Sequence, residues 1–147
     1  MKTRSWLLQN LPHQGKMNLL DAVVNWDTDQ IHCIASSHLD PDNPLAENGC
    51  LGASAAIEYA AQAMAAHGGL TAPVTIAPRQ GYIAGIRDAQ FHVQTLNQAS
   101  PQIDIHATRL MGDEDNVIYQ FTVSDLGVPL VTGRATVVLD RNKTISL

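Results

Sequence analysis

Glu58 is the side chain of this sequence whose surroundings most suggest acid–base chemistry. It lies in the run from Gly52 to His67, where nearly every other residue is Ala, Ile, Met or Tyr. Alanine is the strongest helix former, and the Gly68-Gly69 pair that follows supplies a left-handed stop, so the run is predicted to be one helix. Either Asn48 or Ser54 can cap its start. Ser54, Glu58 and Gln62 are spaced by four, which lines them up as a single polar stripe on an otherwise apolar cylinder. A carboxylate buried among alanines is costly unless it is paired or protonated. Its pKa is therefore expected to rise, which is the state a general acid needs near neutrality. The alternative is that Glu58 points through a gap to solvent.

The other reactive types are scattered. His32, His92 and His106 fall on predicted strands with no acidic or histidine partner at ligand spacing, and His67 sits at the helix C-terminus, where positive charge is mildly favourable. No metal site is expected from them. Cys33 and Cys50 have no C-x-x-C spacing and read as reduced, packed thiols of a cytoplasmic protein.

The elements that must position Glu58 follow from the rest of the 147 residues, expected to form one domain over 1–147. A net charge of −5 without a Lys/Arg cluster argues against nucleic acid, and no apolar run suits membrane insertion. The first residues lack the long apolar core of an export signal. Residues 1–10 suit a short helix, and 11–18 an irregular lead-in segment. Leu19–Trp26 and Ile31–Ser37 suit strands, with Asp27-Thr28-Asp29 turning between them as a hairpin. Residues 38–49 are dense in turn formers and must be a loop. After the helix, Leu70–Pro78 reads as a connection, and Arg79–Val93 as a long strand in which Gly81 and Gly85 permit a bulge or close approach. Strands are further predicted around Ile103–Thr108, Val117–Val123 and Val128–Leu139, followed by a polar tail from Asp140 that frays. The tally is a hairpin, one long helix and three consecutive antiparallel strands. An α+β arrangement follows, with an antiparallel sheet wrapped around one long central helix. One such sheet covers only part of the helix, so dimerisation is expected to cover the rest.

This order resembles the hotdog fold. Two stretches are similar to motifs of the 3-hydroxyacyl-acyl-carrier-protein dehydratases: residues 11–21, LPHQGKMNLLD, against the opening pattern LPHRxPFLLxD, and residues 57–63, IEYAAQA, against the helix signature EAMAQA. Within that family the chain looks most like the divergent branch associated with aryl-polyene clusters, whose members accompany a second dehydratase subunit. The resemblance implies removal of water from a 3-hydroxyacyl thioester on the phosphopantetheine arm of an acyl carrier protein, with no cofactor. It makes Glu58 the acid that protonates the leaving hydroxyl. The N–H groups of Gly52 and Ala53 become candidates to hold the thioester oxygen, and Gln62 the residue that orients Glu58 or its neighbours.

The family's catalytic histidine stands fourteen residues before the acid, where this chain has Pro44; His38, twenty before, lies in the corresponding loop. His38 therefore either reaches the site across a six-residue insertion or is a solvated loop histidine. His13 matches the opening motif and reads as structural, supplying a hydrogen bond near the lead-in segment. Three functions stay open: a dehydratase, a hotdog thioesterase whose carboxylate directs water at the thioester, or a subunit without its own histidine that completes a site with a hotdog partner as homodimer or heterodimer.

Overall fold

The computed structural model describes residues 1–73 and 79–144. Helix α1 (Arg4–Asn10) is capped by the Thr3 hydroxyl, which accepts from the Trp6 amide at 3.4 Å. The chain then passes through a 3₁₀ turn at Gly15–Met17 into β1 (Ala22–Trp26) and β2 (Gln30–Ala35). Asp27 makes the hairpin turn: its Oδ1 accepts from the amides of Asp29 and Gln30 at 2.8 and 3.0 Å. A second 3₁₀ turn, Ser37–Leu39, opens the long loop that leads to α2 (Ala55–Thr71). Four strands follow, the long one expected at Arg79–Val93 and the three consecutive ones: β3 (Arg79–Phe91), β4 (Ile103–Gly112), β5 (Asn116–Asp125) and β6 (Val128–Thr144).

These strands form one antiparallel sheet in the order β1-β2-β4-β5-β6-β3. The consecutive trio β4-β5-β6 is a meander, and β3 crosses to the far edge beyond β6. Alternation decides which side faces α2. Ile31, Cys33 and Ala35 of β2, Ile103, Ile105 and Ala107 of β4, and Val117, Tyr119, Phe121 and Val123 of β5 are all buried, with more exposed residues between them. The long strand β3 shifts register between Arg79 and Gly81 and again between Ile83 and Gly85, at the two glycines expected to allow it.

Helix α2 continues through Gly68 and Gly69 instead of stopping at them. Neither glycine adopts a positive φ, and the Ala72 amide still bonds the Gly68 carbonyl at 3.1 Å. The helix ends at Ala72, which is extended (φ −65°, ψ 146°) because it precedes Pro73. At the other end, Ser54 occupies the cap position without a side-chain bond, while the Ala55, Ala56 and Ile57 amides close tight turns onto the Gly52, Ala53 and Ser54 carbonyls. Ala56, Tyr59, Ala60, Ala63, Met64 and Ala66 are buried against the sheet, whereas Ile57, Glu58, Ala61 and Ala65 are only half covered. The helix thus presents a partly open face, along which Glu58 lies. Of the expected connection Leu70–Pro78, residues 74–78 lie outside the described residues, as do 145–147 of the tail. Strand β6 runs on past Asp140 to Thr144, which pairs with Arg79.

Core packing is close where β5 meets β6. Phe121, fully buried, lies across Gly133, its direct cross-strand partner. A Cβ added at Gly133 would stand 2.9 Å from Phe121 Cζ and 3.2 Å from Cε1. Gly133→Ala should therefore cost about 1–3 kcal/mol, read as a lower denaturant midpoint at unchanged slope.

Candidate active site

Glu58 stands in the first turn of α2, where the helix dipole favours a carboxylate. Its Oε1 receives two donors: His13 Nε2–H at 3.2 Å and Gln62 Nε2–H at 3.3 Å. The partner histidine thus comes from the lead-in segment. His13, expected to be structural, is the ring that the fold sets against the acid. Its side chain is 25% exposed and that of Glu58 36%. The hydrogen bond from His13 outweighs partial burial and, with the bond from Gln62, holds the Glu58 carboxyl below its ordinary range. The expected rise is therefore reversed, since burial alone would lift the pKa but the two donors stabilise the charged form. Glu58 Oε2 makes no hydrogen bond among the described residues and is not shut away from solvent.

Gln62 fixes this pair in place. It is fully buried, its Oε1 accepts from the Leu19 amide at 2.8 Å, and its Nε2 also donates to the Met17 carbonyl at 2.7 Å. One side chain therefore satisfies backbone groups on both sides of Asn18 and still reaches Glu58. Asn18, itself buried, donates to the Leu7 carbonyl at 3.0 Å and the His13 carbonyl at 3.4 Å, tying the residue that carries the imidazole to α1.

His38 lies elsewhere. It is 1% exposed, and its Nε2–H donates to the Ser100 carbonyl at 2.8 Å, while the Ser100 amide bonds Asp125 Oδ2 at 3.0 Å. Burial pushes its pKa down. It is neither a solvated loop histidine nor hydrogen-bonded to Glu58. Beside it, Tyr59 O–H donates to Ser37 Oγ at 2.7 Å, because Ser37 spends its own proton on the Leu19 carbonyl at 2.8 Å. Of the two candidate oxyanion donors, the Ala53 amide is taken by the Gln94 carbonyl at 2.9 Å. Gly52 sits on the bridge to Thr95 with its amide turned away, and that N–H has no hydrogen bond among the described residues.

Of the remaining histidines, His32, His67 and His106 acquire partners that only strand pairing or the packing of α2 on the sheet could supply. His32 contacts Asp104 at 2.7 Å and stacks on His106, its cross-strand neighbour, with ring centroids 4.1 Å apart. His67 is buried; its Nε2–H donates to the Asp27 carbonyl and its Nδ1 accepts from Tyr119 O–H, each at 2.8 Å. Burial pushes the Tyr119 hydroxyl up to about 12. Among the described residues no group of three or more His, Cys, Asp or Glu could hold a metal ion. Beyond Glu58, the open face of α2 borders a groove of about 310 Å³ lined by Ala61, Met64, Ala65, Gly68, Tyr82 and Ile83, among others.

Because the folded Glu58 carboxyl is more acidic than an unfolded one, its stabilising contribution is complete above the ordinary carboxylate range. It is lost as pH falls through the lower, folded value. His13→Ala should move the Glu58 titration midpoint upward in carboxyl-carbon NMR, because burial then acts with one donor fewer to oppose it.

The family described as ApeP-like, ApeP dehydratase, matches residues 7–145. No curated protein matches. A chain of the dehydratase heterocomplex ApeI:P from Xenorhabdus doucetiae is 28% identical with a TM-score of 0.81, covering 92% of this chain and 91% of that one. Two thioesterases share the fold at 14% identity and a TM-score of 0.60. A mutant of thioesterase PA1618 from Pseudomonas aeruginosa covers 80% of this chain and 79% of that one, and HI1161 from Haemophilus influenzae covers 81% and 77%. With the sheet wrapped on α2 and both motif segments meeting at Glu58, the chain is a hotdog-fold protein that belongs to the ApeP-like dehydratase family.

Proposed function

We propose that this chain dehydrates a 3-hydroxyacyl thioester carried on the phosphopantetheine arm of an acyl carrier protein, in polyene-type biosynthesis, with Glu58 moving the proton. The observation that carries this reading is the asymmetry of the Glu58 carboxylate: Oε1 is held by His13 and Gln62, and Oε2 is left free on the open face of α2. Resting as a carboxylate, Glu58 takes the C2 proton on Oε2, and the C–H electron pair moves onto the thioester carbonyl. The Gly52 N–H is the donor available for the charge that builds there. Glu58, now a carboxylic acid, returns the proton to the C3 hydroxyl. The C3–O bond breaks, water leaves, the C2–C3 double bond forms and the carboxylate is regenerated. Glu58 is thus the acid of the second half-reaction and the base of the first. His13 keeps it ionised between turnovers, and Gln62 sets its rotamer. His38 and Ala53 brace the surrounding backbone through Ser100 and Gln94. The acyl tail runs into the groove past Ala61 and Ala65.

The half-covered face of α2 and the edge position of β3 suit a second hotdog subunit, and the similarity to a chain of the ApeI:P heterocomplex supports a heteromeric one. A thioesterase remains the second reading, since a resting carboxylate also directs water at a thioester carbonyl.

The test is incubation of the purified chain with a 3-hydroxyacyl carrier protein, alone and with a second hotdog subunit, following enoyl product and free thiol. Enoyl product is expected. Glu58→Gln should lower kcat by about 10²–10⁴-fold, while His38→Ala stays within a few-fold of the parent. Free thiol without enoyl product would replace the dehydratase by a thioesterase. Full turnover by the Glu58→Gln variant would remove Glu58 from the mechanism.

A further inference from the structure

Arg4, in the first turn of α1, spends its guanidinium on backbone. Its Nη1 donates to the Asn18 carbonyl at 2.9 Å and the Leu20 carbonyl at 2.6 Å, and its Nη2 to the Gly15 carbonyl at 3.3 Å. No ion pair among the described residues involves it. A half-buried arginine that meets carbonyls only gains hydrogen bonds without the Coulombic benefit of a carboxylate. Its fork geometry instead serves to hold several acceptors at fixed relative positions, which a lysine cannot do.

Those acceptors define what is held. Past the 3₁₀ turn the backbone is extended at Asn18 (φ −84°, ψ 103°), so successive peptide groups point to opposite sides. The carbonyls of Asn18 and Leu20 face Arg4, whereas the Met17 carbonyl and the Leu19 amide face Gln62. The segment is therefore clamped between a guanidinium on one side and a buried amide on the other. The 3₁₀ turn at Gly15–Met17, pinned through the Gly15 carbonyl, joins the clamped stretch to His13. Asn18 closes the loop by binding the His13 and Leu7 carbonyls. His13 Nδ1 is buried without a partner, so the ring itself has only its bond to Glu58 to orient it, and its position depends on the backbone beneath.

We propose that Arg4 is a positioning residue for the active site: α1 uses it to clamp residues 15–20 and so hold the His13 ring on Glu58. The proposal rests on the reading of Glu58 as the catalytic carboxylate only for its kinetic consequence. The geometric half stands without any activity.

The experiment follows the Glu58 titration by carboxyl-carbon NMR, together with kcat and KM, in the full chain. Arg4→Met should raise the Glu58 midpoint, in the same direction as His13→Ala, because the donor to Oε1 is no longer held. It should lower kcat about tenfold or more with KM changed less. Arg4→Lys should recover part of both effects. Gly133→Ala, which overpacks the core where β5 meets β6, should leave the midpoint in place, so that general destabilisation is told apart from positioning. A folded Arg4→Met protein with an unmoved midpoint would overturn the proposal. A moved midpoint with unchanged kcat would leave the clamp standing and overturn the catalytic reading of the pair. Should neither Arg4 variant fold, the Arg4 Nη–H resonances of the unmodified protein must respond to the Glu58 titration, and their failure to respond would overturn the proposal equally.

Discussion

A glutamine amide buried completely inside a protein must find partners for both its ends, and Gln62 finds them in the backbone on either side of Asn18. Leaving either end unmet would cost about 1–3 kcal/mol in desolvation, so the helix and the lead-in segment have one register in which both are satisfied. That register also sets Gln62 one turn from Glu58 on the same face of α2, and brings His13 to the same carboxylate oxygen. The rest of the fold serves this docking. The sheet supplies an apolar wall that excludes water from behind Gln62, and α1 presses the segment down from outside. The alanines of α2 keep the helix surface shallow enough for a backbone to lie against it.

The electrostatic consequence runs opposite to what burial alone would give. A lone carboxylate in an apolar helix should hold its proton. This one carries two donors on one oxygen and lies near a helix N-terminus, and it rests ionised. The uncommitted oxygen is then the stronger base, which favours a cycle that begins by removing a proton.

Much of this was legible from residue spacing, and the failures have physical causes. The strands were visible because one face of each is buried, so hydrophobic alternation survives in the chain. The stripe of Ser54, Glu58 and Gln62 was visible because a helix repeats every three to four residues. The helix end was misread at Gly68-Gly69: glycine lowers helix propensity by about 1 kcal/mol but does not forbid a helix, whereas Pro73 dictates the conformation of Ala72. The contact of His13 with Glu58 has no signal in residue spacing, because it depends on how an irregular segment docks on a distant helix, and no local period encodes that. The pairs His32 with Asp104 and His67 with Tyr119 were hidden for the same reason, since each joins residues that only the sheet or its packing on α2 brings together.

The most direct test of a resting base is the dependence of kcat/KM for dehydration on pH, measured with the carrier-protein substrate and a hotdog partner present. Activity should be level through neutrality and fall only on the acid side, with a midpoint below the ordinary carboxylate range that vanishes in Glu58→Gln. Activity that instead declines as pH rises through the range just above that of an ordinary carboxylic acid would mean that Glu58 must start protonated, and would contradict the role assigned to His13 and Gln62.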